Sequence, residues 1–109
     1  MNIFSTTVND YTKIAIEAER LDVANMVEMK SGILEIIDDN NHNVVVDLSA
    51  VTFLDSSGLS VLIGVFKHLN KLGGSLKLCG LTEQPNELMQ ITQLNNVFTI
   101  VDNCEQAVQ

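Results

Sequence analysis

The run Val51-Thr52-Phe53-Leu54-Asp55-Ser56-Ser57-Gly58-Leu59-Ser60-Val61-Leu62-Ile63 decides how this chain folds. It sets a polar Asp-Ser-Ser-Gly turn between an apolar, strand-like run (43–48, then 51–54) and a long apolar helix. Two hydroxyls and a carboxylate therefore stand at a helix start, where backbone N–H groups lack partners and the dipole favours negative charge. Such a turn can cap the helix, or it can hold a phosphate. The first makes the chain a small domain, the second a switch.

Downstream, Leu59, Leu62, Phe66 and Leu69 form one helical stripe with Val61, Val65 and Leu72 beside it, which predicts the most buried helix. Gly73-Gly74 stops it. Upstream, Val44-Val45-Val46 is a β-branched run without polar alternation, the mark of a central strand covered on both faces. Residues 2–8 and 11–18 read as two strands joined by a tight turn at Asn9-Asp10. Ile14, Ile16 and Ala18 alternate with Lys13, Ala15 and Glu17, so one face is expected to be buried and the other wet. Asp22 is placed to open a helix as its N-cap, followed by Met26, Val27, Lys30, Ile33, Leu34 and Ile37 at helical spacing as far as 38–41.

Beyond the Gly pair, 75–79 predicts a strand. Pro85 suits the first turn of a helix whose buried face is Leu88, Met89 and Ile91. Residues 97–101 make a last strand, and Asp102-x-x-Glu105 resembles a capping box for a C-terminal helix. The order ββαβαβαβα predicts a single α/β domain over 1–109. Its mixed β-sheet has parallel neighbours, an N-terminal antiparallel hairpin, and α-helices packed on it.

Composition narrows the function. With 109 residues there is room for one core, and 46% hydrophobic content with one Pro and six Gly marks a globular chain. No stretch approaches the ~20 apolar residues that span a bilayer. Met1-Asn2-Ile3-Phe4 lacks the basic lead of a signal peptide, so the expectation is a cytoplasmic protein without membrane insertion. A net charge of −8 disfavours nucleic acid, which needs a basic stripe. The bases Lys67, Lys71 and Lys77, with His68, are expected to gather around the end of the second helix.

Cys79 and Cys104 form no CxxC and have no nearby His pair. Cys79 reads as a small buried hydrophobe, a cytosolic setting argues against a disulfide, and no metal site is visible. His42 and His68 lie in polar settings, and Met26, Met29 and Phe66 read as packing residues. There is no GxSxG, no Ser/His/Asp order and no Walker lysine. Asp47 and Lys77 do not reproduce a response-regulator acceptor site. No catalytic residue or cofactor is assigned.

Asp47-Leu48-Ser49-Ala50-Val51-Thr52-Phe53-Leu54-Asp55-Ser56-Ser57-Gly58-Leu59 resembles the signature of the STAS domains, and among them the small bacterial anti-sigma-factor antagonists. Arg20-Leu21-Asp22, Leu72-Gly73-Gly74, Pro85 with Leu88 to Ile91, and Val97 to Ile100 support it, so the likeness runs from about Leu21 to Ile100. Two positions depart from the family pattern: Glu19 and Gln93 stand where glycines are common.

The resemblance implies a partner-switching regulator. Ser56 would be phosphorylated by a serine kinase/anti-sigma factor of the histidine-kinase-like ATPase fold. The unmodified form would bind that kinase or another effector, and a PP2C-type phosphatase would reset it. The output would be transcription or a biofilm/polysaccharide programme. Asp22, Asp55, Ser56, Ser57 and Gly58 would form the partner surface. The alternative within the family is a structural subunit of a transporter complex, such as one for lipid transport.

Bland readings stand beside each of these roles. Ser56 can be only a cap, worth ~1 kcal/mol, and Ser57 competes as acceptor. Asp55 can orient the acceptor hydroxyl or hold the turn, and Asp22 can line the partner surface or cap the first helix.

Overall fold

The computed structural model of the protein describes residues 2–109; Met1 lies outside the described residues. Strand β1 (Ile3–Val8) returns as β2 (Tyr11–Ile16) through Asn9 and Asp10, which take φ of 48° and 69°. Both central residues of a two-residue hairpin of this hand need positive φ, and Asn and Asp are side chains that tolerate it. The chain continues through β3 (Arg20–Leu21), α1 (Met26–Asp39), β4 (Asn43–Asp47), β5 (Phe53–Leu54) and α2 (Ser56–Lys71). It ends with β6 (Ser75–Cys79), α3 (Glu83–Ile91), a 3₁₀ turn at Leu94–Asn96, β7 (Thr99–Val101) and α4 (Cys104–Ala107).

The main sheet has the order β1-β2-β4-β6-β7, antiparallel at the hairpin and parallel elsewhere. This is the expected single α/β architecture with a mixed sheet. Two-residue β3 and β5 form a separate parallel ladder that the sequence reading did not separate from its neighbours.

Alternation along β4 sorts the core into two layers. Val44 and Val46 face the large cluster with Ile33 and Ile37 of α1 and Leu59, Leu62, Val65 and Leu69 of α2. Val45 faces the other side, packed with Cys79, Ala107 and Val108. The face of the hairpin expected to be wet is partly covered there, since Val8 and Tyr11 pack against that second cluster.

Several expectations are corrected. α1 begins at Met26 with Asn25 at its N-cap position, so Asp22 does not cap it. Val27 is 77% exposed and Ile91 78% exposed, each on the outer side of a helix that buries Met29 or Met89 instead. Leu72 is exposed, because Gly73 (φ 72°) and the Gly74 N–H bonded to the Leu69 carbonyl close α2 just before it. Lys77 leaves the basic cluster. Strand alternation turns it to the α4 side, where its Nζ donates to Tyr11 Oη at 2.9 Å and to the Ala107 carbonyl at 3.1 Å.

Asp102 is not the cap of α4. Asn103 is, its side chain accepting the Glu105 N–H at 2.7 Å. Cys79 and Cys104 are joined in a disulfide, against expectation: the sheet brings the end of β6 beside α4, with the two Cα atoms 5.0 Å apart. His68 lies in a polar setting, half-buried, its Nε2 contacting Asp38 Oδ1 at 2.8 Å.

Candidate functional site

β5 delivers the chain to the Asp-Ser-Ser-Gly turn, and two flanking groups hold it. On one side it pairs with β3, Arg20 opposite Phe53 and Leu21 opposite Leu54. On the other side Gln84 of α3 stands in for a neighbouring strand. The Leu54 N–H donates to Gln84 Oε1 at 2.8 Å, and Gln84 Nε2 donates to the Leu54 carbonyl at 2.9 Å. The Thr82 hydroxyl donates to the Val51 carbonyl at 2.6 Å. A two-residue strand has too few backbone bonds to hold a register alone, and this amide supplies the missing edge.

Asp55 follows in an extended conformation and caps α2, its Oδ1 accepting the Gly58 N–H at 2.8 Å. Of the roles open to Asp55, the structure shows this one. Ser56 is the first residue of α2 and is exposed; Ser57 is half-buried. The Ser60 hydroxyl donates to the Ser57 carbonyl at 2.6 Å. Gly58 is buried, and a Cβ there would lie 2.1 Å from the Leu21 carbonyl oxygen and 2.6 Å from Leu54 Cδ1. Only glycine lets the first turn of α2 press directly on β3.

Leu21 thereby ties the turn to Asp22, the next residue. Asp22 Oδ1 accepts the Ala24 N–H at 3.0 Å, closing an Asx-type turn before α1. Arg20 Nε donates to Asp22 Oδ2 at 3.0 Å, and the Arg20 guanidinium stacks over the Phe53 ring at 4.2 Å. Asn25 completes the knot, accepting the Asp22 N–H and donating to the Arg20 carbonyl. The Arg20 hydrogen bond holds the Asp22 carboxyl below its ordinary range, the Ala24 N–H and the guanidinium charge adding to it. Val23 and Val27, both strongly exposed, flank this acidic knot.

The structure thus brings Asp22, Asp55, Ser56, Ser57 and Gly58 to one end of the fold, with Gly58 beneath the surface. Sequence reasoning missed Gln84 and Arg20. Neither falls on a hydrophobic period, and although Arg20 stands in the Arg20-Leu21-Asp22 segment, no local signal marks its contact with Phe53 or that of Gln84 with the Leu54 backbone. The turn is flanked by a hollow of about 330 Å³ lined by Thr52, Thr82, Glu83, Gln84 and Glu87, whose acids suit no anionic ligand. Asp47, Cys79 and Cys104 lie within 4.8 Å of one another, but the disulfide engages both sulfurs and leaves no thiolate to bind a metal. At Gln93 the backbone takes φ 61°, the left-handed conformation that explains why glycine is common there; Glu19 takes no such conformation. Among the described residues no helix is long and apolar enough to cross a membrane.

The family model described as the STAS domain matches residues 5–107. An anti-sigma-B factor antagonist of Staphylococcus epidermidis is 29% identical over 105 residues, 96% of each chain. An anti-sigma factor antagonist from Mycobacterium paratuberculosis has the same fold, with TM-score 0.86 and 21% identity over 97% of this chain and 89% of that one. The Bacillus cell fate determinant SpoIIAA in its phosphorylated form gives TM-score 0.71 and 18% identity over 97% of this chain and 96% of that one. The chain belongs to the STAS domain family.

Proposed function

We propose that the protein is a phosphorylation-controlled partner-switching regulator, a binding protein and not an enzyme. Its unmodified form docks a serine kinase/anti-sigma factor of the histidine-kinase-like ATPase fold, or another effector. Phosphorylation of Ser56 releases that partner, and a PP2C-type phosphatase restores the docking form. One observation carries this reading: Asp55, not Ser56, caps α2, so the exposed Ser56 hydroxyl at the helix start is spared for another use. The naming of the staphylococcal relative as an anti-sigma-B factor antagonist and the phosphorylated form of SpoIIAA point the same way.

Electrostatics supply the switch. A phosphoryl group adds about −1.5 to −2 charges beside Asp55. The helix N-terminus tolerates an anion, so the fold survives. A partner surface shaped to desolvate a neutral hydroxyl does not tolerate it. The docking surface comprises the Ser56 turn, Asp22 with the exposed Val23 and Val27, and the exposed side of α2, and the reversible contact expected there buries roughly 1,200–1,600 Å². The controlled output is transcription or a biofilm/polysaccharide programme.

The test begins with Ser56→Ala as bait in the native cell, to trap the partner. Mass spectrometry then follows incubation of the wild-type chain with that partner and ATP. Phosphate on Ser56, retained binding by Ser56→Ala and weakened binding by Ser56→Asp are expected. Phosphate on Ser57 moves the acceptor by one residue. A chain that accepts no phosphate, and whose Ser56→Asp variant binds like wild type, sinks the proposal.

A further inference from the structure

Strand β1 is one edge of the main sheet, and nothing in its sequence protects it. Natural edges are blunted by charge, proline, a bulge or shortness. The opposite edge, β7, is only three residues long. β1 runs six residues, Ile-Phe-Ser-Thr-Thr-Val, with no charge, no proline and an unbroken register against β2. The Glu17 N–H donates to the Asn2 carbonyl, which sets the pairing phase. Phe4, Thr6 and Val8 exchange backbone bonds with β2, so Ile3, Ser5 and Thr7 turn their N–H and C=O groups outward. Phe4 is 60% exposed on the face away from α1.

Beside this edge lies a groove of about 260 Å³ between β1 and α1, lined by Ile3, Gly32, Glu35, Ile36, Asp39 and Asn40. Its apolar floor suits a long aliphatic stem, and its two carboxylates suit a cation at the end of that stem. Among the described residues the ion pairs are Lys13–Asp47, Arg20–Asp22 and His68–Asp38, so neither Glu35 nor Asp39 has a cationic partner there.

We infer that the β1 edge and this groove form a second docking surface, which takes an extended segment of a partner protein carrying Lys or Arg. The segment adds to the sheet as a further strand through the outward groups of Ile3, Ser5 and Thr7. A strand turns alternate side chains to one face, so one in two of its residues lies over the α1 groove, where the basic side chain seats between Glu35 and Asp39. Backbone bonds supply binding and the groove supplies selectivity. A second copy of this chain is a poorer occupant, because its β1 brings no cation to the groove and each chain carries a net charge of −8. None of these residues belongs to the Ser56 turn.

The probe is a phage-displayed library of random peptides about twelve residues long, long enough to lay down one full strand, panned on the full chain. Selected peptides are then titrated against variants. The expected consensus alternates and contains one Lys or Arg. Ser5→Pro removes an outward N–H and is expected to weaken binding about tenfold or more. Glu35→Lys and Asp39→Lys, surface changes that leave the edge intact, are expected to weaken it about tenfold. Ser56→Asp is expected to bind the peptide as wild type does, which separates this surface from the switch. Three results overturn the inference: selection without a basic residue, affinity indifferent to Glu35→Lys and Asp39→Lys, or a dimer by light scattering that Ser5→Pro dissociates.

Discussion

The two helix starts at the site end look alike in sequence and are built differently. Each follows a short strand and an aspartate: Leu21-Asp22 before α1, Leu54-Asp55 before α2. Asp55 caps its helix, with the first turn of α2 packed on β3 and Gly58 buried. Asp22 closes a separate turn, held by Arg20, Ala24 and Asn25, and α1 begins four residues later with Val23 and Val27 in solvent. One start is set by close packing, the other by a polar knot on the surface. An aspartate before an apolar period is therefore ambiguous until the backbone it must cap is pressed into place. The packed start presents the exposed Ser56 hydroxyl, while the polar one presents an acidic, apolar-flanked surface beside it.

Substituting Gly58 should have the largest effect, because it lies where α2 bears on β3. Gly58→Ala puts a Cβ onto the Leu21 carbonyl and should cost about 3 kcal/mol, overriding alanine's helical advantage of about 1 kcal/mol. Urea denaturation of the variant checks this; a stabilised Gly58→Ala would mean that α2 does not bear on β3. Gln84→Ala should come next. It strands the Leu54 N–H and C=O, so about 2 kcal/mol of destabilisation is expected. Amide hydrogen exchange should show Leu54 losing protection before the β4 core does.

The aspartates themselves give a sharper contrast. Asp55→Ala should cost about 1 kcal/mol as a lost cap, whereas Asp22→Ala should have the smaller effect, because α1 does not depend on it. Equal effects on thermal denaturation would mean that both aspartates cap their helices alike.

The smallest effect is a pH dependence at Asp22. Its folded-state carboxyl is held below the ordinary value of 3.8, first by the Arg20 hydrogen bond. A depressed folded pKa gives stability that is present above the unfolded value and lost as pH falls through the folded one. Wild type should thus exceed Asp22→Asn slightly at neutral pH, and the gap should close below about pH 3.8 as the carboxylate takes up its proton. Arg20→Ala should shrink the neutral-pH gap. A gap that persists at low pH would show that Asp22 acts through something other than its charge.

Much of the fold was legible because its signals are local. The hairpin at Asn9-Asp10, the buried run Val44 to Val46, the helix from Ser56 and its stop at Gly73 each follow from backbone preference or from a hydrophobic period within a few residues. Val27 and Ile91 show the limit of such periods, since a helix of this size buries a narrower stripe than its apolar residues suggest. Of the site, the Asp-Ser-Ser-Gly turn and its place at a helix start were readable. The choice of Asp55 over Ser56 as the cap was not.

Propensity, spacing and turn chemistry alone therefore set the order of the five main-sheet strands and the helices between them, and put the Asp-Ser-Ser-Gly turn at a helix start. Which distant groups meet depends on three-dimensional packing: Gln84 on the Leu54 backbone, Lys77 on Tyr11, Cys79 joined to Cys104, and Leu21 against Gly58. Those contacts span from 25 residues to more than 60 and leave no period in the sequence. They exist because parallel strands joined by helical crossovers bring segments remote in sequence side by side.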